Sequence, residues 1–229
     1  MELNVVTVNK QAPKILNDIV AALSKSNLKA VTDNNEGRVN SKQDEDQIIA
    51  WLQTQPEFKD YIVEGNLRGF GDMEIKDPET DELHIVNIKT SVGSSDNAFS
   101  KIGLLWAFTD LTYEDFEKLK IAKKISDGRF AELVVKHKKE TPRDYWYLSL
   151  DKNNFSNVMV RGVKQINHWG KNPTNNLQIM WGKEHESEPN TDSFDKVFEN
   201  VITNGVFYCW YKKSEQWLKG IALYEATKV

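Results

Sequence analysis

The chain of 229 residues has a single cysteine, Cys209. One thiol cannot form an intramolecular disulfide, which fits a reducing compartment, and a cytoplasmic location is expected. Cys209 sits in the dense run Val206-Phe207-Tyr208-Cys209-Trp210-Tyr211, where packing is its expected role. No Cys/His cluster with zinc-ligand spacing is present. Long apolar runs are missing too. The longest, such as Leu104-Leu105-Trp106-Ala107-Phe108, fall far short of the ~20 residues that span a bilayer. No basic region followed by an apolar core opens the chain, so no secretory signal and no membrane association are expected. Strong charge of one sign is also lacking, since the net charge is −4. That does not advertise a nucleic-acid binder, although an enzyme can be acidic overall and basic along one cleft. Gly69 and Gly71 flank Phe70 with no helix directly after them, which argues against a phosphate cradle. No Ser-His-Asp order is visible. The four histidines share no metal spacing. His84, His137 and His185 are expected to face solvent, while His168 could reach a base or phosphate.

What is present describes an ordinary globular protein: 39% hydrophobic and 28% charged residues, enough for one sizeable core. Periodicity predicts a helix over 13–24, with Ile15, Leu16, Ile19, Val20 and Leu23 on one stripe and Pro13 at its start. A second helix runs from about Ser41 through Ile48, Ile49 and Leu52. Helices are expected near 98–109 and 113–125, the latter capped by Thr112. Asp144 to Leu150 reads as an aromatic strand. Residues 194–201 and 208–218 read as closing helices. Residues 117–143 hold nine Lys or Arg against four acids. That excess could face phosphates or could be a solvated helix face. The expected fold is a single α/β domain over 1–229, a central mixed β-sheet flanked by helices.

The most telling stretch is Gly71-Asp72-Met73-Glu74-Ile75, then the turn 76–81, then Ile85-Val86-Asn87-Ile88-Lys89-Thr90-Ser91. Pro78 and the aspartates supply the bend. In a strand, residues two apart share a face, so Asn87 and Lys89 project together and a hairpin can set Asp72 beside them. Leu83 and Ile85 precede them on that face, which turns from apolar to polar at its end. His84 falls on the opposite face. A carboxylate, an amide and a lysine at one sheet end can hold Mg²⁺ against a phosphate and orient a water.

This arrangement resembles the PD-(D/E)xK nuclease superfamily, and within it the type II restriction endonucleases. Asp72 fills the first acidic place, with Gly71 where proline is usual. Asn87 stands where the second carboxylate is expected, and Lys89 fills the last place. The NIKTS strand end is similar to one in some restriction enzymes. The strand DYWYLSLDK, residues 144–152, and the segment NPTNNLQIMW, residues 172–181, are also similar to stretches of such enzymes. The resemblance covers roughly residues 66–183. It implies a restriction-endonuclease-like core with a catalytic hairpin at about 70–91 and a DNA-recognition segment at about 151–183.

It further implies Mg²⁺-dependent, site-specific hydrolysis of double-stranded DNA, in a bacterial or archaeal restriction system with a cognate DNA methyltransferase. Asp72, the Ile88 carbonyl and the Asn87 amide oxygen would hold the metal. Lys89 would orient the attacking water, and Glu74 would supply negative charge that Asn87 lacks. Glu45 on the upstream helix is a further candidate. A homodimer would match a palindromic site. Asn175, Asn176 and Gln178 could read bases, since Asn and Gln pair bidentately with adenine, or could simply form a turn. Lys171 and Arg161 stand nearby as DNA contacts. Trp169 and Trp181 are expected in the core. Rival readings are a repair or junction nuclease on the same core, a DNA-binding protein without catalysis, and a structural protein.

Overall fold

The computed structural model describes residues 8–32, 37–64, 71–92, 95–96, 100–121, 125–172 and 176–226. In chain order it contains α1 (Lys14–Leu23), α2 (Gly37–Thr54), β1 (Ile62–Glu64), β2 (Met73–Lys76), β3 (Leu83–Ser91) and β4 (Ser95–Asp96). Then come α3 (Lys101–Phe108), α4 (Tyr113–Lys118), α5 (Asp127–Lys136), β5 (Tyr145–Asp151) and β6 (Asn154–Gly162). The rest comprises β7 (Trp169–Asn172), β8 (Asn176–Met180), α6 (Trp181–His185), α7 (Phe194–Phe198), a π-helix (Glu199–Phe207) and α8 (Tyr208–Ala226).

Five strands form a mixed sheet in the order β1-β2-β3-β5-β6. Only β3 and β5 run parallel, so a crossover must join them, and α3, α4 and α5 lie on it. The fold is thus α/β, as the sequence leads one to expect. Side-chain alternation sends each strand into two cores. Val86, Ile88, Trp146, Leu148 and Leu150 meet α1 and α2 on one face. Ile85, Tyr145 and Tyr147 meet α3, α4 and α5 on the other. Burial on both faces is why β5 reads as an unbroken aromatic and apolar run rather than an alternating one. A second sheet, β4-β8-β7, is antiparallel and packs Leu177 and Ile179 into that second core.

Helix α1 buries the expected stripe, Ile15, Leu16, Ile19, Val20 and Leu23. Asn9 fastens its start to the far edge strand, donating from Nδ2 to the Val160 carbonyl at 3.1 Å and to Gln165 Oε1 at 2.7 Å. The helix expected over 113–125 stops at Lys118. Lys120 takes a left-handed φ of 51°, and Ile121 N–H returns to the Phe116 carbonyl at 2.8 Å. That closure satisfies the terminal carbonyls and turns Ile121 into the core. A separate helix, α5, follows, capped by Ser126 and burying Phe130, Leu133 and Val134. Part of the basic stretch is thereby tied down: the Arg143 guanidinium lies 4.2 Å from the Trp106 ring and donates to the Thr109 and Leu111 carbonyls. Among the described residues no helix is long and apolar enough to cross a membrane.

Candidate active site

The β2–β3 hairpin is antiparallel, with Met73 opposite Val86 and Glu74 opposite Ile85. The turn is held by Asp77, whose Oδ1 accepts the N–H groups of Glu79 and Thr80 at 2.8 and 3.2 Å. One step past the last paired residue, Asp72 N–H donates to the Val86 carbonyl at 2.9 Å. Its carboxylate then takes over from the missing strand: Oδ2 accepts Ile88 N–H at 2.8 Å. A residue's N–H and carbonyl leave a strand on the same side. The Ile88 carbonyl therefore faces the Asp72 side, beyond the last rung of the β2–β3 ladder.

Gly71 has a steric reason. A Cβ there would stand 2.6 Å from the Val86 carbonyl oxygen and 2.8 Å from Ile85 Cγ2. Any side chain, proline's included, would push Asp72 away from β3. Glu74 shares the face of Asn87, because its neighbours Met73 and Ile75 enter the opposite core. Its Oε1 accepts the Tyr113 hydroxyl at 3.0 Å.

The Asn87 side chain lies near the hydroxyl of Tyr145, with Ser100 close by. The Asn87 Oδ1 atom is buried and has no hydrogen-bond partner among the described residues. A buried acceptor left so costs about 1–3 kcal/mol unless something meets it. Asp72, the Ile88 carbonyl and Asn87 Oδ1 together offer oxygen donors of the kind a hard divalent cation takes. Among the described residues no three His, Cys, Asp or Glu side chains form a ready metal cluster, and this donor set contains only one of those types.

Helix α2 brings Glu45 to the same end of the sheet. Burial raises the Glu45 carboxyl above its usual range, and the nearby Asp72 charge adds to that, against the Lys89 and Lys42 ammonium groups. The helix is anchored one residue earlier. Asp44 is fully buried and accepts Val31 N–H at 2.7 Å and the Thr90 hydroxyl at 3.0 Å, with Lys152 Nζ at 3.1 Å. Thr90 directly follows Lys89, so α2 is locked to the strand end that carries the lysine.

Across the parallel pair, Lys89 lies beside Ser149. The Ser149 hydroxyl is 3.1 Å from His185 Nε2, and His185 Nδ1 is 3.3 Å from Asn157 Oδ1. His185 is half-buried and not the solvent-facing residue expected. Burial pushes it down to about 4, so its ring is neutral near pH 7. Nδ1 then donates to Asn157 and Nε2 accepts from Ser149. Its partners come from strands far off in sequence, so local pattern carried no signal. His84 also departs from expectation. It occupies the face opposite Asn87 and Lys89, but it is buried, with Nε2 3.6 Å from Asp77 Oδ2.

The segment expected to read DNA, about 151–183, includes β6 and the β7–β8 hairpin, in which Gly170 lies opposite Gln178 and Asn172 opposite Asn176. These four share one face. Asn176 has a left-handed φ of 67° and accepts Trp210 Nε1–H at its Oδ1 over 3.2 Å. Lys171 lies on the other face, 5.2 Å from the Tyr208 ring. Asn175 and the Asn172-Pro173 turn's later residues lie outside the described residues. Arg161 needs correction as a DNA contact. It is 1% exposed, and its guanidinium donates to the Val160 and Ser187 carbonyls. It belongs to the central sheet through β6, which turns its side chain away from solvent. His168 is held by Glu184 at 2.9 Å, a fully buried carboxylate that the sequence did not single out. Trp181 is buried against Tyr147 and Trp169 is half-buried. No family model and no curated protein sequence matches the chain.

Proposed function

We propose that this chain is a Mg²⁺-dependent endonuclease with a restriction-endonuclease-like core, cutting double-stranded DNA at a specific short site. The observation that carries the reading is the buried, partnerless Asn87 Oδ1 beside the Asp72 carboxylate and Lys89 at one end of the β2–β3 hairpin. Asp72, the Ile88 carbonyl and Asn87 would hold Mg²⁺, which supplies charge to offset the phosphate and to acidify a bound water. Lys89 orients that water and opposes the charge that builds up on the phosphate oxygens. Glu45 and Glu74 supply the negative charge that Asn87 lacks. Glu45 stands near enough to Asp72 to feel its field, and Glu74 is held in place by Tyr113.

The β7–β8 hairpin is the proposed DNA-reading surface, through Gln178 and Asn176, with Lys171 on its flank; Asn175, outside the described residues, is a further proposed contact. Strand β4 supports this division of labour. It lies just beyond the lysine strand and pairs directly with β8. A homodimer would place two such sites on the two DNA strands, and a cognate methyltransferase would protect the host sequence.

The absence of a second carboxylate at position 87 favours one other reading, a DNA-binding protein that no longer cuts. Plasmid DNA incubated with the protein and Mg²⁺ separates the readings on an agarose gel. Discrete fragments support the proposal. A smear means a nuclease without site preference, such as a repair enzyme on the same core. Intact plasmid with retained DNA binding means the non-cutting reading.

A further inference from the structure

Helix α8 runs on past the packed body of the molecule. Its first turns are anchored: the Trp210 ring lies edge-on to Phe130 at 5.8 Å, and its Nε1–H donates to Asn176. From Gln216 to Leu223 every residue is exposed, and a Cβ added at Gly220 would meet nothing within 4 Å. The apolar stripe does not stop where the body stops. Trp210, Ser214, Trp217 and Ile221 follow one another at helical spacing, with Tyr211 and Leu218 along the same side. Lys212, Glu215, Gln216 and Lys219 take the opposite side. Trp217 is 64% exposed, Leu218 65% and Ile221 57%. Helices in proteins draw most of their stability from burying such a stripe, and a few unsupported turns are marginal in water. The outer turns of α8 therefore carry a pattern for burial without the cover it calls for.

We propose that this stripe is the contact surface for a second copy of the chain, the two α8 helices packing antiparallel about a two-fold axis. The choice of a second copy rests on the dimeric nuclease reading above, and the size and symmetry of the patch support it. Tyr211, Trp217, Leu218 and Ile221 expose on the order of 500 Å² per copy, so two copies reach the ~1,000 Å² that a specific interface has to bury. A two-fold contact needs one patch that matches itself, and an apolar helix stripe laid antiparallel on its copy does so. No charged side chain lies on the stripe to be left unpaired. Lys213, whose ammonium is 5.4 Å from the Trp217 ring, stands at its margin and can keep its charge in water. An uncharged stripe is the wrong chemistry for DNA phosphates.

Sedimentation equilibrium of the full chain, without DNA or Mg²⁺ and from low micromolar concentration upward, tests this. Wild type should sediment as a dimer. Trp217→Glu should weaken association about 30-fold or more, as loss of a central aromatic anchor does. Leu223→Glu, on the polar side of the helix, should leave it within about 2-fold, as surface changes outside a contact do. A monomeric wild type would hand the stripe to another occupant and overturn the proposal. Undiminished association in Trp217→Glu would overturn it too. So would an equal loss in Leu223→Glu, which would mean that the helix as a whole matters and not this face. A wild-type dimer that leaves plasmid intact would sink the nuclease reading and keep the surface, and a monomer that cuts plasmid would do the reverse.

Discussion

Replacing Asp44 by alanine should be the most damaging single change outside the strands. Asp44 is completely buried, and four groups converge on it: Val31 N–H, the Thr90 hydroxyl, Gln47 Nε2 and Lys152 Nζ, at 2.7, 3.0, 3.1 and 3.1 Å. The Lys152 side chain is only 17% exposed. Deleting the carboxylate leaves that ammonium without its partner and strands a backbone donor. Breaking a buried pair from one side costs about 3–5 kcal/mol, a large part of the ~5–15 kcal/mol that holds a domain folded. Urea denaturation followed by circular dichroism measures it. With a slope of about 2 kcal/mol/M, the midpoint should fall by about 1.5 M or more at unchanged slope. Lys152→Met should cost less, because Asp44 keeps three of its donors. A midpoint shift below about 0.5 M for Asp44→Ala would refute the claim that this carboxylate pins α2 to the strand of Lys89.

Three other outcomes follow from the same geometry. Asn87→Asp should retain more cleavage at limiting Mg²⁺ than Asp72→Asn, because hard cations depend on anionic oxygen; equal losses in a Mg²⁺ titration would undo that assignment. Acidification should act on two buried groups with opposite sign. His185 is held at about 4 against 6.5, so the unfolded chain takes the proton first and stability falls by about 3 kcal/mol as pH drops from 6.5 to 4. Asp144 is buried and pushed up to about 6 from 3.8, so the folded chain takes the proton first and stability rises by about 3 kcal/mol between those values. Relative to wild type, His185→Asn should gain stability on acidification and Asp144→Asn should lose it; urea midpoints that track wild type across pH 4–7 would contradict both. Gln178→Ala should cost about 1–3 kcal/mol on the cognate duplex and little on a scrambled one, measured in Ca²⁺; unchanged discrimination would make the β7–β8 hairpin structural.

The hairpin was legible in the sequence because its information is local. The bend at 76–81, the alternation from Leu83 to Lys89 and the period of two place Glu74, Asn87 and Lys89 on one face without any knowledge of the rest. The stripe of α1 was legible for the same reason. The groups that complete the site were not. His185 and Asp44 each depend on a partner more than thirty residues away, Ser149 and Thr90, and the residues flanking them give no hint of that. Arg161 shows the reverse error. Its place near the asparagine-rich segment suggested a DNA contact, but residues 154–162 form β6, an outer strand of the central sheet, and β6 turns that side chain inward. Lys120 ended a helix that composition alone would have continued, because a left-handed residue and the return of Ile121 to the core outweigh propensity.

The central claim is that Asp72, Asn87 and Lys89 form a metal-dependent cutting site. It is tested most directly by the rate at which wild type, Asp72→Ala and Lys89→Ala cut supercoiled plasmid in Mg²⁺, with DNA binding in Ca²⁺ measured alongside. The account requires discrete cutting by wild type and a loss of at least about 100-fold in each variant, as for the removal of one strong electrostatic contact to a transition state, with folding intact and DNA binding retained. Cutting by either variant at near the wild-type rate would contradict it.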